Sequence, residues 1–227
     1  MQNQVQAFKN GSAVDWNNQE VLNDFLYDWL PYPVAGQTQL SFFTTPQGQG
    51  VSFWDNTQTK TYEDTNMETG NQMSRGESFL VKHIALRFYQ DTLPVQDTNA
   101  AALPATPLMQ ANDAWLFWNR GWLEFKVVNK VQARLAPLGS FPPPTHLELD
   151  AAAAVAFTVA AAATDSTQIV ANHLRARGPL FTLAGDGVTL EYGMKFQLNL
   201  NWSAKQAITT AAGVQAMLIG KRMRVSQ

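Results

Sequence analysis

An all-β antiparallel fold is predicted for this chain, and three observations predict it. Apolar residues recur with a period of two in short runs. The cleanest is Phe196, Leu198, Leu200 and Trp202, with Gln197, Asn199 and Asn201 between them, the pattern of a strand with one buried face. Clusters of turn formers punctuate those runs, as at Pro46-Gln47-Gly48-Gln49-Gly50 and Pro142-Pro143-Pro144. No alternation of strands with long helices appears, which disfavours a parallel α/β sheet.

The elements follow in chain order. Val21, Leu22, Phe25, Leu26 and Trp29 fall at i, i+1, i+4, i+5 and i+8, one stripe of a helical period. Asn17 followed by Glu20 resembles a capping box, and Pro31 with Pro33 supplies a stop. A short amphipathic helix is therefore expected over Asn17–Leu30. Residues 1–36 then read as an N-terminal arm, and residues 37–227 as the β domain. The arm is expected to cross to a neighbouring subunit, because a stripe this apolar needs covering.

Within the β domain, Leu40–Phe43 and Val51–Trp54 read as strands flanking the 46–50 turn. Asp55 to Gly76 reads as a long polar loop with only Tyr62, Met67 and Met73 to bury. Phe79–Tyr89 is the clearest strand. Trp115–Trp118 and Trp122–Val128 read as a further pair split at Asn119-Arg120-Gly121, the second running on through Val131 to Leu135. His146–Asp150 alternates, and Val155, Phe157 and Val159 tip Ala154–Val159 towards strand. Gly185-Asp186-Gly187, between Leu180–Leu183 and Val188–Tyr192, predicts a tight hairpin. The last strand spans Val214–Val225. Roughly eight to eleven strands suit a jelly-roll sandwich. A single roll with a short helix and long loops is favoured over a compact double roll.

Composition narrows the function. The 227 residues include no cysteine, which removes disulfides, zinc-thiolate centres, iron–sulfur clusters and thiol nucleophiles together. A net charge of −2 lacks the basic stripe of a nucleic-acid binder. Charged residues are only 15 %, against about 25 % in an ordinary soluble domain. Amides and small residues stand in their place, a surface suited to being covered by copies of itself. No apolar run reaches the length of a membrane span. The N-terminus has neither the basic nor the apolar region of a signal peptide, so a cytoplasmic site of assembly is expected.

Catalytic signals are sparse. His83, His146 and His173 occupy no zinc-binding spacing, and there is no Gly-x-Ser-x-Gly elbow. His146, Glu148 and Asp150 share one face of a strand and could offer an imidazole and two carboxylates to a metal. A solvated face opposite Leu147 and Leu149 explains the same alternation. Gly185-Asp186-Gly187 has no helix with Lys-Ser/Thr after it and is not a phosphate loop. Lys221, Arg222 and Arg224 form the densest basic cluster, better read as a solvated strand end. Trp115, Trp118 and Trp122 could stack sugar rings, but residues apolar on both strand faces more often form core or subunit contacts. Phe25, Trp29, Trp115, Trp118 and Trp122 are therefore the candidate subunit-interface residues. No catalytic, cofactor or metal site is expected.

One ordered set of motifs goes beyond composition. Leu40-Ser41-Phe42-Phe43 precedes Asp64-Thr65-Asn66-Met67, then Gly70-Asn71-Gln72-Met73 and Glu77-Ser78-Phe79-Leu80-Val81-Lys82-His83-Ile84. Trp122-Leu123-Glu124-Phe125-Lys126-Val127-Val128-Asn129-Lys130 follows, and Val214-Gln215-Ala216-Met217-Leu218-Ile219-Gly220-Lys221-Arg222 closes the series. This order, spread over residues 37–227, resembles the jelly-roll major capsid proteins of small tailless icosahedral bacteriophages. The resemblance implies a structural virion protein without an active site, assembled in the host cytoplasm into an icosahedral shell. Its implied partners are itself, as homotrimers or pseudo-hexameric capsomers, and other capsid proteins such as penton or spike. Some relatives enclose an internal lipid membrane; sequence-specific nucleic-acid binding is not implied. The alternative is a receptor- or carbohydrate-binding sandwich, such as a spike or lectin-like module.

Overall fold

The computed structural model describes residues 19–55, 58–90, 113, 116–118, 120–140, 180–209 and 211–225, with 19, 20, 90, 140 and 225 described by their backbone alone. Between 146 and 175 it describes four strands, also by their backbone alone. Two antiparallel sheets carry the fold. The first contains β1 (Gln19–Tyr32), β13 (Ala212–Val225), β3 (Glu77–Gln90) and β10 (Phe181–Thr182), in that order, with β11 (Val188–Glu191) also on β3. The second runs β2 (Gln39–Phe42), β12 (Phe196–Asn201), β4 (Trp122–Val127), β5 (Lys130–Leu135). Between β5 and β10, β6 (His146–Leu149) pairs with β9 (Asn172–Arg175), and β7 (Ala152–Val159) with β8 (Ala162–Ile169).

Alternation builds the core between the two sheets. Leu26 and Tyr32 of β1, Phe79, Val81, Ile84 and Leu86 of β3, and Val214, Ala216 and Leu218 of β13 are buried in one cluster. They share it with Leu40, Phe42, Leu123, Phe125, Phe196, Leu198 and Leu200 of the second sheet. The inward set on β3 switches from odd to even numbers because Lys82 is an extra residue: His83 pairs with Ile219 and Val81 with Gly220. Such a bulge moves every side chain beyond it to the other face. Gly220 is required there, since an added Cβ would lie 1.8 Å from the Leu80 carbonyl oxygen.

Several expected elements take another form. The helix expected over Asn17–Leu30 is a strand from Gln19, paired along its whole length with β13. Residues 19–32 thus belong to the sandwich and not to a separate arm. The stripe misled because Asp28 occupies an inward position between Leu26 and Leu30, breaking the period of two, while Tyr27 and Trp29 on the opposite face are also covered. Val51–Trp54 is irregular; its Ser52 and Phe53 amides bond to Gln58 and Asp64. Tyr62, expected to bury, is 68 % exposed.

Leu116–Trp118 is helical instead of extended. That turn drives Phe117, fully buried, against the rings of Tyr32, Phe88 and Trp202. The strand expected to continue from Trp122 to Leu135 is a hairpin, reversing at Val128 and Asn129, both at positive φ. The 185–187 hairpin is absent: β10 and β11 pair successively with β3, not with each other. The Gly-Asp-Gly excursion stands opposite the bulge, where Gly187 (φ 97°) passes so close to Val81 that a Cβ would meet its carbonyl oxygen at 2.3 Å.

Candidate functional site

The most elaborated part of the molecule is the segment between β2 and β3, residues 43–76, where it meets β1. β1 is an edge strand, and an unpaired edge invites other chains to add to it. Here residues 64–66, with one backbone carbonyl and two side chains, stand in for a neighbouring strand. Trp29 N–H donates to the Asp64 carbonyl at 2.8 Å, and the Thr65 hydroxyl donates to the Tyr27 carbonyl at 2.9 Å. The Asn66 amide acts like a peptide group: its Oδ1 accepts from Tyr27 N–H at 3.0 Å and its Nδ2 donates to the Phe25 carbonyl at 2.7 Å.

Two buried carboxylates hold this segment. Asp28 accepts from Lys60 Nζ at 2.5 Å and from Phe43 N–H at 2.7 Å; the side chains of the ion pair are 0 % and 2 % exposed. Burial pushes the Asp28 carboxyl up to about 6, against the pull of the Lys60 ammonium and the Phe43 amide. Asp64, also fully buried, accepts from Ser52 Oγ, Phe53 N–H and Thr61 N–H at 2.7–3.0 Å. Every donor so placed offsets part of the cost of removing a charge from water.

Aromatic packing covers the outer face of the first sheet. Phe53 stacks on Trp29 with ring centroids 5.4 Å apart and planes 10° from parallel, and Trp54 and Tyr89 meet Trp29 edge-on. The Phe53 ring lies over Gly213, where an added Cβ would fall 2.3 Å from it. Tyr27, whose hydroxyl donates to the Tyr62 carbonyl, has its phenol raised to about 12 chiefly by burial. Beyond Tyr27 the cover ends. Phe25 is 48 % exposed beside a shallow depression of about 360 Å³ at the β3 bulge.

The second sheet's outer face is polar. Register places Ser41, Asn199, Glu124 and Arg134 in one row across its four strands. Lys126 and Arg134 bond the Glu124 carboxylate at 2.8 and 2.6 Å and hold it below the usual carboxylate range.

The five candidate interface residues are not brought together. Phe25 is exposed on β1, while Trp29 is buried beneath the 43–76 segment of its own chain. Trp118 is half-buried on the core cluster, and Trp122 is half-buried on β4 opposite Asn201. Trp115 and Asp150 lie outside the described residues, as do the side chains of His146, Glu148 and His173. His83 Nδ1 lies 3.1 Å from the Thr182 hydroxyl. Among the described residues, no group of three His, Asp or Glu side chains is placed to hold a metal ion, and no helix is long and apolar enough to cross a membrane.

Sequence reasoning missed Asp28, Lys60, Asp64, Thr65 and Asn66 as a unit. One signal was present: a segment read as a loop carries Asp, Thr and Asn in succession, residues that bond to backbone outside regular ladders. No family model, curated protein or solved structure matches this chain.

Proposed function

We propose that this protein is a jelly-roll shell subunit, a self-assembling major capsid protein of the tailless-phage type. One observation carries the reading: the order of strand pairing. With β10 and β11 counted as one interrupted strand and β6–β9 as an insertion, the eight strands pair 1:8, 2:7, 3:6 and 4:5. These are the rungs of a long antiparallel hairpin. Rolling it up adds the contacts 8:3 and 7:4, found as β13 with β3 and β12 with β4. Two sheets paired in this order support a jelly-roll reading.

Assembly is supported by low charge and by Val21, Phe25, Val51, Trp54 and Tyr62, all left exposed. The packing of Trp118 against the core weighs against a row of tryptophans as a sugar platform. Negative-stain microscopy with light scattering of the purified full chain tests the reading. Closed particles or capsomers are expected at micromolar concentration; a strict monomer throughout that range sinks it.

A further inference from the structure

The capping of β1 stops abruptly. On its odd-numbered residues the N–H and C=O groups point away from β13, as the bonds of Trp29, Tyr27 and Phe25 to residues 64–66 show. The Phe25 N–H is taken by the neighbouring Asp24 Oδ1 at 2.7 Å. Alternation aims the same groups of Val21 and Asn23 at the free edge, and among the described residues nothing meets them. Val21 is 43 % exposed, Leu22 39 % and Phe25 48 %. An open edge flanked by exposed apolar side chains is a template for strand addition.

We propose that the Gln19–Asn23 edge of β1 pairs antiparallel with the same edge of a second copy of this chain, about a two-fold axis at Val21. The edge groups of this stretch can satisfy those of an identical copy, and charge selects the register. Centred on Val21, the pairing sets Gln19 opposite Asn23, Glu20 opposite Leu22 and Val21 opposite its own copy, with no like charges facing. Centring on Leu22 would oppose Glu20 to Asp24, two acids. Centring on Asn23 would need Phe25, whose edge groups are already bonded to Asp24 and Asn66. At the Val21 register every edge-facing residue enters a hydrogen-bonded pair, and the first sheet continues through both copies as an isologous contact.

The chain has no cysteine, so Val21→Cys introduces its single thiol. In a hydrogen-bonded pair the facing Cα atoms stand about 5.5 Å apart, within disulfide reach. Mild oxidation of the full chain is expected to cross-link Val21→Cys into dimers and to leave Val34→Cys, comparably exposed, monomeric. Val21→Pro removes the edge N–H without touching a bond to β13 and is expected to weaken dimerisation about tenfold or more in light scattering. Equal cross-linking of both cysteine variants, or unchanged dimerisation in Val21→Pro, overturns the proposal. So does slow hydrogen exchange at Val21 and Asn23 in a monomer, which would mean the chain covers this edge itself. Dimers without larger assemblies would sink the shell reading and leave this one standing; particles without the Val21 cross-link would do the reverse.

Discussion

Asp28 and Lys60, 32 residues apart in the chain, meet in a 2.5 Å ion pair almost sealed from solvent. The pair joins the inner face of an edge strand to the segment that caps that edge. A buried pair is weak evidence for net stabilisation, because desolvation opposes the Coulomb attraction. Its effect is to set a place: Lys60 can be buried only where Asp28 is.

Removing one partner should therefore cost more than removing both charges. Lys60→Met is expected to destabilise the fold by about 3–5 kcal/mol, since it strands the Asp28 carboxylate. Adding Asp28→Asn keeps an acceptor for the Phe43 amide and is expected to recover a large part of that loss. Urea denaturation of both variants checks this; equal or greater loss in the double variant would contradict it.

The same carboxyl should leave a mark on stability against pH. Its folded pKa, about 6, stands above the ordinary 3.8, so between those values the folded state holds more of the proton. Stability from this group is fully present below about pH 4 and falls as pH rises towards 6. The loss reaches about 3 kcal/mol by the linkage relation. Wild type measured against Asp28→Asn should show that fall between pH 4 and 7. A flat or rising difference would refute it.

The β4–β5 turn carries a local conflict open to repair. Val128 sits at φ 47° and Asn129 at φ 62°, the left-handed region that β-branched residues avoid. Val128 is 60 % exposed, so little burial is lost on replacement. Val128→Asn is expected to stabilise the protein by about 1 kcal/mol, read as a raised melting temperature. A lowered one would mean that the turn depends on Val128 for packing.

Legibility followed burial. β12 could be read from Phe196, Leu198 and Leu200 because one face meets the core and the other is polar. β1 could not, because Asp28 sits inward and the aromatic residues of the outer face are covered too. The Asp186-Gly187 turn signal was real as local backbone chemistry, with Gly185 and Gly187 both at positive φ. What it connects was decided by the bulge in β3, which is not local.

The sequence by itself determined the all-β antiparallel class and most of the strands. Periodicity records which face of a segment is buried, and glycine and proline record where the chain turns. Only the tertiary structure decided that β1 is a strand, that residues 43–76 cap its edge, and that Asp28 and Lys60 belong together. A carboxylate in a core position contradicts the local pattern. It becomes favourable only when a cation and an amide, contributed from Lys60 and Phe43, are brought to it by the rest of the fold.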